Sequence, residues 1–545
     1  MDTLAQLGEE YFRLHFAADP LLASVSGVPG YDGEVPDPSR EAAADQRAAL
    51  ARVEAELATV DPGRLGQQDR ISHTILARLL RDEQRTLGDG LAEVAVSATM
   101  TGPLAQVVSA VPAATGTDEE YLARLEKLGG FFDRYAERYR QAAADGRFPT
   151  ALGVRQAVAQ VDGYLGTPVE RDPLLQRVAG NARAAELVTD ELRPALIRFR
   201  TALEEELLPV ARGGEQVGLC HVPGGAEGYQ ALIGAYTTTG LGPEEIHQIG
   251  LDLVAGLREE FAERGGRAFG SSDGVIRRLR EDRELRFGAA GEIVDTVTGA
   301  LRRAEEAVPD WFAGYDIAPC VVREMDVAEA ENAVLGYYVP PAADGSRPGA
   351  HVVNTFRPQQ RARFEYEVLA FHESVPGHHL QIAVAQSRGD LPRFRRFTYF
   401  DAHGEGWGLY TERLSDEMGL YTSELSRLGM VSFDAWRACR LVVDTGMHHF
   451  GWSRERAIAY MLENTALTET NIANEVDRYI ATPGQALAYM LGRLRIDQLR
   501  ERERAALGSA YDQRAFHHEV LAHGPLPLDT LEELITARWR SAHRQ

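Results

Sequence analysis

The chain has 545 residues, 58 of them basic and 81 acidic, for a formal charge of −23. That balance speaks against nucleic acid or an anionic membrane as the main partner, because both reward clustered Lys and Arg. Three scattered cysteines (Cys220, Cys320 and Cys439), with no C-x-x-C pair, fit reduced thiols in a cytoplasmic protein and speak against a disulfide scaffold or a thiolate zinc site.

Along the chain, no basic stretch followed by an apolar one marks a signal peptide, and no run of about 18 apolar residues marks a membrane span. A soluble, intracellular protein is expected. Ala, Leu, Glu and Arg dominate, and all are good helix formers. Ser26–Pro38, rich in Gly, Pro and Asp, reads as a loop. Helical spacing of three and four predicts helices over Gln67–Leu87, Asp118–Asp145, Ala184–Leu207, Glu244–Arg264 and Glu292–Glu306. In the second of these, Tyr121, Leu122, Leu125, Leu128, Phe131, Phe132 and Tyr135 form the apolar face. Arg212–Gly225 and Pro340–Pro348 read as further loops. His351–Thr355 is β-branched and short, an extended strand leading into a helix predicted over Arg361–Phe371, with Tyr366, Leu369 and Ala370 on its buried face. No repeat, low-complexity tract or clean linker divides the chain. It reads as one large, mainly α domain over 1–545, with two lobes around a groove as a variant, and with its chemistry between residues 335 and 495.

The most specific stretch is Phe371-His372-Glu373-Ser374-Val375-Pro376-Gly377-His378-His379. In H-E-x-x-H, two histidines one turn apart hold a metal and the glutamate acts on bound water. Here the second histidine's place is taken by Pro376. On an unbroken helix His379, seven residues on, returns to the face of His372 at about 100° per residue. Pro376 clashes with the carbonyl four residues back, and Gly377 permits unusual torsions, so a kink is expected. If Pro-Gly is read as a two-residue insertion, His378 becomes the second ligand. We prefer His378, and the residues alone leave His379 open.

A third ligand is sought in Asp401-Ala402-His403-Gly404-Glu405-Gly406-Trp407. Glu405 is the first choice and His403 the alternative, with Glu412 seven residues later placed to orient a ligand. The metal is expected to be Zn2+, although two imidazoles and a carboxylate also accept Mn2+ or Co2+. Glu373 is then the general base, beside the metal but not bound to it.

His372–Gln381 closely resembles the signature of the bacterial DUF885 family. Gly336-Tyr337-Tyr338, Asp344–Gly349, Asn354, His403–Trp407, Asp444–His448, Arg478-Tyr479 and Pro483–Tyr489 extend the resemblance. That family is similar to the helical, zincin-like (carboxypeptidase Taq-like) carboxypeptidases. The resemblance implies a mostly helical fold with a deep central groove, favours His378 as part of Pro-Gly-His, and has a downstream Glu complete the two-His site.

Tyr489 is the first choice to stabilise an oxyanion, with Gln485 one turn earlier on its face. Arg478 is a candidate for a substrate carboxylate, and Tyr338 and Arg347 for lining the approach. A structural role is expected for His448 and His449, and a solvent-facing one for His517 and His518. The leading expectation is a zinc-dependent hydrolase of small peptides or peptide-like amides, with carboxypeptidase or dipeptidase action implied by resemblance. The alternative is a non-catalytic helical binding protein with a structural or lost metal site. A di-metal oxidase ranks last, since two suitably placed Glu-x-x-His pairs are missing.

Overall fold

The protein is described here by a computed structural model covering residues 3–326, 330–331, 334–341 and 347–542. Asp344-Gly345-Ser346, part of the loop expected before the strand, lies outside the described residues. The architecture is mainly α, with one small three-stranded sheet among the described residues. Among the described residues, no helix is long and apolar enough to cross a membrane.

The helix Asp118–Ala144 shows how local chemistry sets the elements. Thr117 and Glu120 form a reciprocal capping box at its start, satisfying two otherwise orphaned N–H groups. Its Tyr121, Leu125, Leu128, Phe131 and Phe132 are fully buried in one apolar cluster with residues drawn from 21–207. The stretch expected over Ala184–Leu207 is helical from Ala182 but widens to π geometry at Leu187–Leu192 and Ala202–Leu207. A second cluster joins the first helices, over 4–80, to residues 380–535. A third and larger one surrounds the central motif.

In the sheet, β1 (Cys320–Glu324) runs parallel to β3 (Gly349–Val353), and β2 (Gly336–Val339) runs antiparallel to β3 on its other side. The central strand β3 is buried at every residue. It feeds α1 (Glu365–Glu373), which is followed by α2 (His378–Ser387), α3 (Asp401–Glu417), α4 (Glu424–His448), α5 (Glu469–Ala481) and α6 (Ala488–Leu507).

Two expectations need correction. The helix predicted from Arg361 begins at Glu365. Before it, Arg361–Arg363 runs extended against residues 285–287, with the Phe287 N–H bonded to the Arg361 carbonyl and the Arg363 N–H to that of Leu285. Every residue from Glu365 to His372 is buried, so α1 has no polar face to produce a periodicity. The second correction is His517. It is buried, stacked on Phe312 at 4.5 Å and hydrogen-bonded to the Tyr410 hydroxyl, and only His518 of that pair faces solvent.

Candidate metal centre

Helix α1 stops at Glu373 and α2 starts at His378, so the motif lies across a break. The Val375–Pro376 peptide is cis. The break is held firmly. The Ser374 hydroxyl donates to the Ala370 carbonyl at 2.5 Å, the His379 N–H to the Ser374 carbonyl at 3.1 Å, and the Trp407 indole N–H of α3 to the Pro376 carbonyl at 3.0 Å. Gly377 is required by space: a Cβ there would lie 1.9 Å from the His372 carbonyl oxygen and 2.4 Å from that of Phe371. The turn sets the His372 and His378 rings at right angles with centroids 4.7 Å apart.

Glu405 completes the group from α3. Its Oε2 is 3.6 Å from His372 Nε2 and 3.4 Å from His378 Nε2, and the three ligand atoms lie within 4.8 Å of one another. Glycines let the helices approach. A Cβ at Gly408 would sit 2.7 Å from the His372 ring, and one at Gly492 of α6 would sit 1.8 Å from the Ala402 carbonyl. Behind the cluster, fully buried Glu412 places Oε1 2.8 Å from His372 Nδ1. That contact keeps Nδ1 protonated and aims Nε2 at Glu405, so that Nε2 is the nitrogen whose lone pair a cation would take in place of a proton.

Two imidazole nitrogens and a carboxylate oxygen aimed at one point fit a divalent cation such as zinc, with a coordination position left open. Among the described residues, the buried Nδ1 of His378 has no hydrogen-bond partner, so that ring is not held as an ordinary core histidine. Without a cation, burial favours neutral His372, but the Glu405 and Glu412 carboxylates, the latter accepting from Nδ1, outweigh it and hold the imidazole up at about 10. Glu373 adjoins the group and is partly exposed; burial raises its pKa, with His372 and His378 pulling the other way.

The other predicted residues are placed as follows. His379 points away, its Nδ1 3.0 Å from the Tyr338 hydroxyl and its Nε2 3.0 Å from the Ala318 carbonyl, so both nitrogens and that hydroxyl are engaged. His403 is likewise tied to Gln381 and to the Val520 carbonyl. Tyr489 stands on the Glu405 side, where burial and then the Glu405 carboxylate push its hydroxyl up to about 12. Arg478 makes two hydrogen bonds to Glu475 and one to Gln485, whose amide donates to Asp401, so both side chains are occupied within the protein. The Arg347 guanidinium donates weakly to the Pro348 carbonyl at 3.4 Å. His448 is bonded by both nitrogens to backbone, and His449 pairs with Glu244.

Sequence reasoning missed Tyr399, whose hydroxyl is 3.4 Å from Glu405 Oε1 while the residue as a whole is 44 % exposed. It also missed Arg437 and Arg440, buried on α4. Their signal was two arginines three residues apart in a helix otherwise rich in apolar residues.

The family model described as a bacterial protein of unknown function (DUF885) matches residues 20–535. A crystal structure of a candidate lipoprotein from Colwellia psychrerythraea is 27% identical, with a TM-score of 0.90 over 99% of both chains. A solved structure of a candidate lipoprotein of unknown function from Shewanella oneidensis is 18% identical and shares the fold, with a TM-score of 0.79 over 98% of this chain and 100% of that one. No curated protein matches the chain.

Proposed function

The chain belongs to the DUF885 family, and from its central cluster we propose that it is a metal-dependent hydrolase of peptide or peptide-like amide bonds, a zinc metallopeptidase of carboxypeptidase or dipeptidase type. The observation that carries this reading is the convergence of His372 Nε2, His378 Nε2 and Glu405 Oε2 within 4.8 Å, with Glu373 beside them. A structural metal clip has no use for that adjacent, partly exposed carboxylate, whereas hydrolysis needs a base there.

The cation would be held by those three side chains and would supply Lewis-acid polarisation of the scissile carbonyl and acidification of water. Glu373 takes the proton from the attacking water and returns it to the leaving amine, so that water and amide become acid and amine. The hydroxyls of Tyr489 and Tyr399, on the Glu405 side, donate to the carbonyl oxygen as negative charge builds on it. Glu412 keeps the His372 ring in orientation through Nδ1. The likeness to zincin-type helical carboxypeptidases with a deep groove belongs to this reading and favours short or unstructured peptides as substrates. A cytoplasmic location is also proposed, supported by three cysteines that are free thiols; the two solved relatives carry lipoprotein descriptions of their own.

The test is metal content by mass spectrometry, followed by turnover of a dipeptide and blocked-peptide library by wild type and Glu373→Gln. The expected result is one divalent ion per chain in both, with turnover falling about 10²–10⁴-fold in the variant. Retained turnover in Glu373→Gln would defeat the assignment of the base. Bound metal with no turnover of any peptide would favour a binding protein instead.

A further inference from the structure

We propose that Arg437 and Arg440 form a carboxylate-binding subsite beside the metal centre, which holds the free C-terminal carboxylate of the substrate. As a statement about cleavage it rests on the hydrolase reading above; as a statement about binding it stands alone.

Both arginines project from one face of α4, three residues apart, and are 5 % and 3 % exposed. Arg437 has neither a hydrogen bond nor an ion pair among the described residues, and its Nε and Nη1 are buried without a partner. Arg440 bonds through Nε to the Tyr479 hydroxyl at 2.8 Å and through Nη2 to Glu475 at 3.1 Å, but its buried Nη1 is also unpartnered. Glu475 is meanwhile shared with Arg478 and Tyr479. Arg440 and Arg478 thus share the Glu475 carboxylate, while Arg437 feels the Glu412 carboxylate without a hydrogen bond to it.

Buried guanidinium N–H groups without an acceptor are costly, and a ligand carboxylate would supply the acceptor. The aromatic residues around the pair fix its planes and leave the donor edges free. Arg437 lies 4.1 Å from the Trp436 ring centroid and 4.5 Å from that of Phe433, and Arg440 lies 4.5 Å from those of Trp436 and Tyr489. Tyr489 is also the residue that ties this wall to the cluster: Arg440 lies against its ring, and three residues on along α6 Gly492 packs against Gly406, the neighbour of Glu405. A planar fork of donors is the chemistry that recognises a carboxylate through two parallel hydrogen bonds. A peptide whose terminal carboxylate sits on this wall carries its last amide bond back toward Glu373 and the three ligands.

Calorimetric titration of the full-length protein with N-acetylphenylalanine, N-acetylphenylalanine amide and N-acetylaspartyl amide separates the sources of the carboxylate. The free acid is expected to bind about 10–100-fold more tightly than its amide, the worth of one or two charge-assisted hydrogen bonds, and the side-chain acid more weakly than the terminal one. Arg437→Met and Arg440→Met should each remove most of that preference. Should either fail to fold, Arg437→Lys and Arg440→Lys keep the charge but lose the fork, and should weaken only the free acid, by about 10-fold. With peptide substrates the loss should appear in KM, not kcat. Equal binding of acid and amide, or variants that bind the acid as wild type does, overturns the subsite. Equal binding of the two acids overturns its C-terminal direction. Carboxylate-selective binding without any turnover leaves the subsite standing and defeats the hydrolase reading; turnover at equal kcat/KM on free and amidated peptides does the reverse.

Discussion

Replacing Gly377 with alanine should separate the two histidines while leaving the fold in place. The added Cβ would lie 1.9 Å from the His372 carbonyl oxygen and 2.4 Å from that of Phe371, where ordinary contact starts near 3.4 Å. The turn must therefore open by about 1.5 Å. It cannot open at Pro376, whose carbonyl is held by Trp407, or at Ser374, which is held by Ala370 and by the His379 N–H. The displacement passes to His378. Coordination tolerates deviations of only about 0.2 Å, so His378 ceases to act together with His372 and Glu405. Zinc affinity should fall at least about 100-fold, equivalent to ~2.7 kcal/mol, against an overpacking penalty on folding of about 1–3 kcal/mol. Competition with a fluorescent chelator reads the first quantity and urea unfolding of the metal-free protein the second. Gly389→Ala, where the added Cβ meets nothing within 4 Å, is the control and should change neither. A Gly377→Ala protein that binds zinc like wild type would refute the claim that this turn sets the ligand geometry.

Glu412→Gln keeps the shape beside His372 Nδ1 but removes the charge, and should weaken zinc binding about 10–100-fold in the same competition assay; unchanged affinity would show that the contact does not tune the ring. Tyr338→Phe deletes the hydroxyl 3.0 Å from His379 Nδ1 and should lower stability by about 1 kcal/mol in urea unfolding. Its zinc affinity should stay at the wild-type value, and a loss would mean that His379 and not His378 is the working ligand. Burial raises Asp444 from 3.8 to about 7, with the Tyr229 hydroxyl and Gly484 N–H opposing it. The folded chain thus keeps a proton that the unfolded chain releases near pH 4. This contribution to stability is fully present below pH 4 and is lost as the pH climbs to about 7. Asp444→Asn removes the titration, so it should gain on wild type by about 1.4 kcal/mol per pH unit between pH 5 and 7. A pH-independent difference in unfolding free energy would contradict the raised value.

Residues whose partners are close in sequence were legible, and those placed by distant packing were not. The strand before the motif and the long capped helices carry their signals locally, in β-branched runs, in the Thr117–Glu120 box and in three-and-four spacing. The choice between His378 and His379 could not be made by helical phase, because phase is undefined across a turn in which Ser374 and Gly377 both leave helical torsions. A two-residue insertion described that break better than a continuous helix did. His517 was misplaced because its neighbours Arg514, His518 and Glu519 read as a solvated face, while Phe312, 205 positions away, covers the ring. Arg437 and Arg440 escaped notice for a related reason. Charge on a helix normally marks its wet side, and only the surroundings on α5 and α6 reveal that this side is dry.

The rigidity of the cluster follows from what lies behind it. Helix α3 carries Glu405 and Glu412 on one face and Arg413 on the other. Arg413 makes two 2.8 Å hydrogen bonds to Glu260 and a further one to buried Asp434 of α4, and Asp434 also receives Arg493 of α6. A helix anchored in this way by a fork of donors cannot rotate to follow a ligand, so the positions of both carboxylates are fixed before anything binds. The same holds for His372, which is locked between Glu412 and the surface of Gly408. Mobility and access are left to the opposite side, where Glu373, Glu405, Tyr489 and above all Tyr399 are partly exposed. On the proposed reading, a substrate would come to the three ligands past the tyrosines and be oriented by the arginine wall of α4, without movement of the cluster.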